Sequence, residues 1–213
     1  MLVLIAISYA LCAMQTAPNP SGVAFLVQLA TVAVILWVAD VKPRLRLAGW
    51  IVLAAAGVAT AVATLAGATG YFLDVVLAAA SALAYLVAPI AIIAHIVRRD
   101  RVDGQALLAS IAAYILVGMF FTFVYTFIAL VSSEATFGPD QPDSLTTQLF
   151  FSFTTLTTTG YGNVVPVGAG VQSVAIVEAI TGQLFLVIAV ARVVSGWTRP
   201  ENRRGITDQD RAG

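Results

Sequence analysis

A short run of threonines and glycines, residues 157–162, constrains the fold of this chain more than any other stretch. It reads Thr-Thr-Thr-Gly-Tyr-Gly and interrupts an otherwise apolar sequence. Gly160 and Gly162 can adopt positive φ angles, which are penalised in residues that carry a Cβ atom. Dihedral angles that alternate between left- and right-handed values would turn successive carbonyl groups to one side of an extended strand. Four such strands around an axis would form rings of oxygens able to replace the hydration shell of a cation.

The composition of the chain places this run in a membrane. Of the 213 residues, 60% are hydrophobic and 10% are charged, whereas soluble domains carry about 25% charged residues. The apolar runs are continuous over roughly 20 residues, which predicts transmembrane helices rather than the alternating strands of a membrane barrel. The formal net charge of +0 gives no reason to expect a nucleic-acid partner. A single cysteine excludes an internal disulfide, and with a single histidine it leads us to expect no metal or other cofactor.

The apolar runs predict an all-α membrane protein with six transmembrane helices. The first run, 2–17, is short for a span, and a signal peptide is the alternative interpretation. The five further runs cover residues 23–41, 47–66, 71–97, 105–131 and 171–197. Lysine and arginine cluster after the second and fourth runs and in the tail, whereas the alternate loops contain neither. The positive-inside rule therefore places both termini in the cytoplasm and residues 132–170 outside.

A pore domain is predicted over residues 105–197. The half-apolar run 146–156 is too short to cross the bilayer as a helix. A short helix followed by irregular backbone is tolerated at membrane depth only inside protein or beside water. Such a re-entrant helix would point its negative C-terminal end at the pore axis and favour a cation there. The expected elements are an outer helix over 105–131, a pore helix over 146–156, a filter over 157–162 and an inner helix over 171–197.

The stretch Phe150–Pro166 resembles the pore of prokaryotic potassium channels nearly throughout, and the resemblance includes Glu178–Leu184 and Arg192 in the last helix. It implies a passive potassium-selective channel of the six-span, non-voltage-gated type. One filter strand cannot surround an ion, so we expect a homotetramer in the lipid bilayer. The resemblance implies that Gly162 lets the strand leave the axis and that K⁺ binds to the carbonyl groups of Thr158, Thr159, Gly160 and Tyr161.

Several residues are expected to support or gate this pore. Thr159 stands where the family usually has Val, Ile or Leu, and Asn163 replaces the usual Asp. Thr154 lies where some members carry a Glu that pairs with that Asp. Gly182 matches a glycine at which inner helices of the family can bend, and close helix packing is the alternative. Glu178 is a functional candidate because a charge within a span is costly, but we favour a structural hydrogen-bond acceptor behind the pore helix.

The first half of the chain, residues 1–104, is predicted to be a four-helix scaffold in the position of a voltage sensor. A sensing helix needs several arginines within the membrane field, and the run 71–97 contains no lysine or arginine. We therefore expect a voltage-insensitive scaffold. We expect the tail, 198–213, to be cytoplasmic and too short to form a regulatory domain.

Three other functions agree less well with the sequence than a potassium channel in a bacterial inner membrane. A weakly selective monovalent cation channel would be expected to replace Tyr161 by an acidic or smaller residue. A potassium transporter subunit would usually carry several imperfect filter repeats, and one is found. An intramembrane protease of the serine type needs a Gly-x-Ser nucleophile, and the sequence contains none.

Overall fold

A computed structural model describes residues 2–13, 71–97, 104–138 and 140–197, together with scattered positions between 30 and 58. The regular structure of this part of the chain is helical apart from one isolated β-bridge. In chain order the helices are α1 (Leu2–Ala13), α2 (Tyr71–Val97), α3 (Gly104–Val131), α4 (Leu145–Leu156) and α5 (Ala169–Trp197). The predicted spans 23–41 and 47–66 lie largely, and the tail 198–213 wholly, outside the described residues. The six-span count and the four-helix scaffold therefore stay predictions.

The helix bounds follow from local sequence signals. α2 covers the run 71–97, and α3, α4 and α5 begin one or two residues before the predicted positions and end at them. α4 begins after Ser144, which has an extended backbone. The Ser144 hydroxyl caps the helix, because it accepts a hydrogen bond from the Thr147 N–H at 3.2 Å. α5 begins after Gly168, which has φ +84°. The first run, predicted over 2–17, is described as helix over Leu2–Ala13.

Two of the described helices are long and apolar enough to cross a membrane by length and composition. They are α3 and the segment Ala169–Arg192 of α5, and α2 contains a shorter apolar segment, Asp74–Ile90. The two long helices differ in their surroundings. α3 buries residues along most of its length, whereas most apolar side chains of α5 are exposed within one chain.

α3 is the central helix of the described structure, because it packs against α1, α2, α4 and α5. Its pairing with α2 is the most extensive and includes stacked rings of Tyr85 and Phe123, with centroids 5.4 Å apart. α1 packs on α3 and α4, and Cys12 is fully buried in the same apolar cluster as Tyr85. α4 lies against both α3 and α5. α4 thus packs against both membrane-capable helices.

Candidate functional site

The candidate site is the loop after α4, and an aromatic cluster fixes the helix that leads into it. α4 has 12 residues, about 18 Å of helix, which is too short to span a bilayer. The Phe151 ring packs edge-on against Phe137 and Tyr125, with centroid distances of 5.0 and 5.1 Å. Leu149 and Leu156 on the same helix are also buried. This packing sets the direction in which the C-terminal end of α4 points.

Positive φ angles recur at every second residue of the loop. Thr158 has φ +57°, Gly160 has φ +53° and Gly162 has φ +79°. We predicted this freedom for the two glycines but not for Thr158, the one described non-glycine residue with positive φ. A β-branched residue is a genuine outlier in this region and stores backbone strain. Positive φ at every second residue is the alternation of dihedral angles that would turn successive carbonyl groups to one side of the strand.

The N–H groups of the loop are anchored to the last turn of α4. Thr158 N–H donates to the Thr155 carbonyl at 2.9 Å, while Thr159 and Gly160 both donate to the Thr154 carbonyl, at 2.8 and 3.1 Å. Within the described part of the chain, no hydrogen bond ends on a carbonyl oxygen of residues 158–162. Those oxygens are therefore available as ligands for a cation.

The loop side chains are exposed when one chain is considered alone. Tyr161 is 71% exposed, and its ring stacks on Phe150 of α4 with centroids 5.9 Å apart. Residues 157–163 are all exposed. The Thr159 hydroxyl lies 2.8 Å from that of Thr157. Residues 157–163 thus form an exposed surface that is rich in polar groups.

The segment after the loop is held by the connection between α3 and α4. Gln141 Nε2 donates to the Asn163 carbonyl oxygen at 3.0 Å. Phe137 and Pro166 form the isolated antiparallel bridge, and two backbone hydrogen bonds flank it, Gly138 N–H to the Val165 carbonyl and Val167 N–H to the Thr136 carbonyl. The segment that follows the loop is thereby tied to residues 136–138 and to Gln141.

Glu178 of α5 is fully buried and contacts α4. The Tyr125 hydroxyl of α3 donates to its Oε2 atom at 2.7 Å, and the Ser152 hydroxyl of α4 lies 2.6 Å from its Oε1 atom. A second polar contact joins α3 and α4, since Thr126 Oγ1 lies 2.5 Å from Oε1 of the buried Gln148. Polar side chains thus join α3, α4 and α5 inside an otherwise apolar interface.

Gly182 lies where α5 passes the C-terminal end of α4. A Cβ atom at this position would overlap the carbonyl oxygen of Leu156. The same oxygen accepts a hydrogen bond from the Tyr114 hydroxyl at 3.0 Å. The structure therefore supplies a packing reason for glycine at this position, and its role as a hinge stays a prediction.

The residues expected to support the pore have different surroundings. The backbone carbonyl of Thr154 accepts hydrogen bonds from two N–H groups of the loop. Its hydroxyl donates to the Phe151 carbonyl at 3.0 Å within the same helix. Asn163 is tied through its backbone, and its side chain is exposed. Sequence reasoning missed Gln141, Ser152 and Tyr114. The position of Ser152 among three phenylalanines, residues 150, 151 and 153, is the signal that could have singled it out.

Comparisons with known proteins find that part of this chain is similar in sequence to ion channels. Residues 111–196 match the model of a family described as "Ion channel". The chain is 37% identical over 60 residues to the inward rectifier potassium channel Kirbac3.1 of Paramagnetospirillum magnetotacticum; the match covers 28% of this chain and 20% of that protein. No solved structure gives a significant match.

Both matches support ion channel function in a membrane. An ion channel is a non-enzymatic kind of protein, which agrees with the expectation that this chain catalyses no reaction. The family match covers α4, the loop and nearly all of α5, so it includes every residue of the site described above.

Proposed function

We propose that this chain is one subunit of a potassium-selective channel that conducts K⁺ passively through residues 158–162. The observation that carries the proposal is the positive φ at every second residue of a strand whose carbonyl oxygens accept no hydrogen bond among the described residues. Such a strand can present successive oxygens to a dehydrated ion. The proposed K⁺ ligands are the carbonyl groups of Thr158, Thr159, Gly160 and Tyr161, and no cofactor is required.

We propose a homotetramer, because one strand cannot surround an ion. The surfaces left exposed by one chain support this assembly. Residues 157–163 are exposed, and so is a row of apolar side chains on α5 that includes Ile176, Ile180, Leu184 and Val187. Fourfold assembly around the loop would place the polar surface at an axis and give part of the apolar row a protein or lipid neighbour.

The membrane orientation is proposed from charge. Basic residues follow the runs 23–41 and 71–97 and recur in the tail, whereas residues 132–170 contain none. The positive-inside rule favours cytoplasmic termini and an outward-facing segment 132–170 in a bacterial inner membrane. In this orientation α4 enters from the outer side and the loop runs outward from its C-terminal end.

Ion flux into proteoliposomes tests the proposal. Vesicles that contain the purified full-length chain are expected to take up K⁺ down its gradient, to take up little Na⁺ under a matched gradient, and to be blocked by barium. Gly160→Ala is expected to abolish the flux, because φ +53° costs an L-residue about 1–2 kcal/mol and redirects the carbonyl groups.

Gly170→Ala is the matched control. Gly170 lies in the first turn of α5, has no positive φ, and has no atom within 4 Å of an added Cβ, so its substitution should leave the flux unchanged. Equal fluxes of Na⁺ and K⁺ would indicate a weakly selective cation channel instead. Absence of current for either ion in patch recordings across voltages would contradict the proposal.

A further inference from the structure

One carboxyl group joins α4, the helix that leads into the loop 157–162, to α3 and α5. Glu178 of α5 is fully buried, and its Oε2 atom lies 2.7 Å from the hydroxyl of Tyr125 on α3. Its Oε1 atom lies 2.6 Å from the hydroxyl of Ser152 on α4. The same Ser152 hydroxyl lies 2.8 Å from the carbonyl oxygen of Gly118 on α3. All three distances are those of hydrogen bonds between oxygen atoms.

These three contacts need three hydrogens, and the hydroxyls of Tyr125 and Ser152 supply two. The Gly118 carbonyl oxygen only accepts, and an ionised carboxylate also only accepts. An ionised Glu178 would therefore leave Ser152 to divide one hydrogen between two acceptors. A neutral carboxylic acid completes the set, because Tyr125 then donates to Oε2, the acid donates through Oε1 to Ser152, and Ser152 donates to Gly118.

The groups around Glu178 in the described part of the chain provide no positive charge to balance a carboxylate. Among the described elements, α5 packs only on α3 and α4. The titratable groups that face Glu178 from α3 are the phenols of Tyr125 and Tyr114, and α4 has no titratable side chain. On α5 itself the described basic residue is Arg192, 14 residues or about 21 Å further along the helix. Burial of an isolated carboxylate is so costly that such groups are usually neutral.

We infer that Glu178 is held as a neutral acid and acts as a positioning residue for the pore loop. Ser152 lies one helical turn before Leu156, the last residue of α4, and the loop begins at the next residue. An acid that ties Ser152 to α3 and α5 therefore sets the position of the carbonyl groups to which the loop is anchored. The effect on ion selectivity rests on the proposed function, whereas the protonation of the acid does not.

Glu178→Gln is the informative variant, because an amide can reproduce the hydrogen bonds of the neutral acid. Its oxygen accepts from Tyr125 and its NH₂ group donates to Ser152. Glu178→Ala removes both interactions. Glu134→Gln is the control, since Glu134 is an exposed acid in the connection between α3 and α4.

The test uses the full-length chain in lipid vesicles at neutral pH. Infrared difference spectra between wild type and Glu178→Gln are expected to contain the C=O band of a protonated carboxyl group, and the Glu134→Gln difference spectrum should lack it. We expect thermal unfolding and the ratio of K⁺ to Na⁺ flux to be retained in Glu178→Gln. In Glu178→Ala, unfolding should occur several degrees lower and the flux ratio should fall.

Two results would overturn the inference. One is a Glu178→Gln difference spectrum that shows the loss of carboxylate bands instead of the protonated band. The other is a Glu178→Gln protein as unstable as Glu178→Ala. If Glu178→Ala does not fold, the inference is still tested by the Glu178→Gln difference spectrum and by the thermal unfolding of Glu178→Gln. If wild-type vesicles lack K⁺ flux but show the protonated band, the proposed function fails while the assignment of the acid stands.

Discussion

The substitution Gly182→Ala separates the two roles considered for this glycine. The added methyl group would overlap the Leu156 carbonyl oxygen and lie 3.0 Å from its carbonyl carbon, so α4 and α5 must separate by on the order of 1 Å. Overpacking of this kind costs about 1–3 kcal/mol, and loss of the Tyr114 hydrogen bond to the same oxygen adds about 0.5–1.5 kcal/mol. The better helix propensity of alanine returns about 0.5–1 kcal/mol.

The net expectation is a destabilisation near 2 kcal/mol, which corresponds to a melting temperature lower by about 4–8 °C for a chain of this size. The measurement is thermal unfolding of purified Gly182→Ala beside Gly170→Ala, whose added methyl group meets no neighbour within 4 Å. We expect the control to match or slightly exceed the wild type, and K⁺ flux to fall only in Gly182→Ala.

A role as a simple hinge makes the opposite prediction for stability. If Gly182 served only to let α5 bend, alanine would stiffen and stabilise the helix while altering the flux. A melting temperature of Gly182→Ala equal to or above that of the control would therefore refute the packing argument.

Two further substitutions test the loop itself. Gln141→Glu replaces the donor to the Asn163 carbonyl oxygen by an acceptor, so the ratio of K⁺ to Na⁺ flux should fall more than in Gln141→Ala. Equal flux ratios in the two variants and the wild type would show that this contact has no role. Thr158→Gly relieves the strain of the positive φ of 57°, whereas Thr158→Ala keeps that strain, and both variants lack the hydroxyl. Calorimetry should therefore find the glycine variant more stable than the alanine variant by about 1 kcal/mol. Equal stabilities would argue against a strained Thr158.

The helices of the described region could be predicted from sequence because their signals are local. An apolar run of the length of 71–97 or 105–131 needs a helix to satisfy its backbone in a membrane. The observed bounds of α2, α3, α4 and α5 differ from the predicted ones by no more than two residues. The positive φ angles of Gly160 and Gly162 also have a local cause, the absence of a Cβ atom. Thr158 has no such signal, because a β-branched residue disfavours positive φ.

The contacts that hold the loop could not be predicted in the same way. Gln141 and Asn163 are 22 residues apart, and Ser152 and Glu178 are 26 residues apart. Whether such pairs meet depends on how the helices cross, which a single sequence does not state. The cost of a charge within a span predicted that Glu178 needs partners, but it could not identify Tyr125 and Ser152 as those partners.

The contacts of Glu178 and Gly182 have a common geometry. The two residues are four positions apart on α5, and the residues they meet, Ser152 and Leu156, are four positions apart on α4. Residues with this spacing lie on one face of a helix, one turn apart. α5 therefore meets the C-terminal half of α4 at two successive turns, once through a hydrogen bond and once through a close approach to the backbone. A bend of α5 at Gly182 would change both contacts unless α4 moved with it, so bending and close packing at this glycine act on the same loop, residues 157–162.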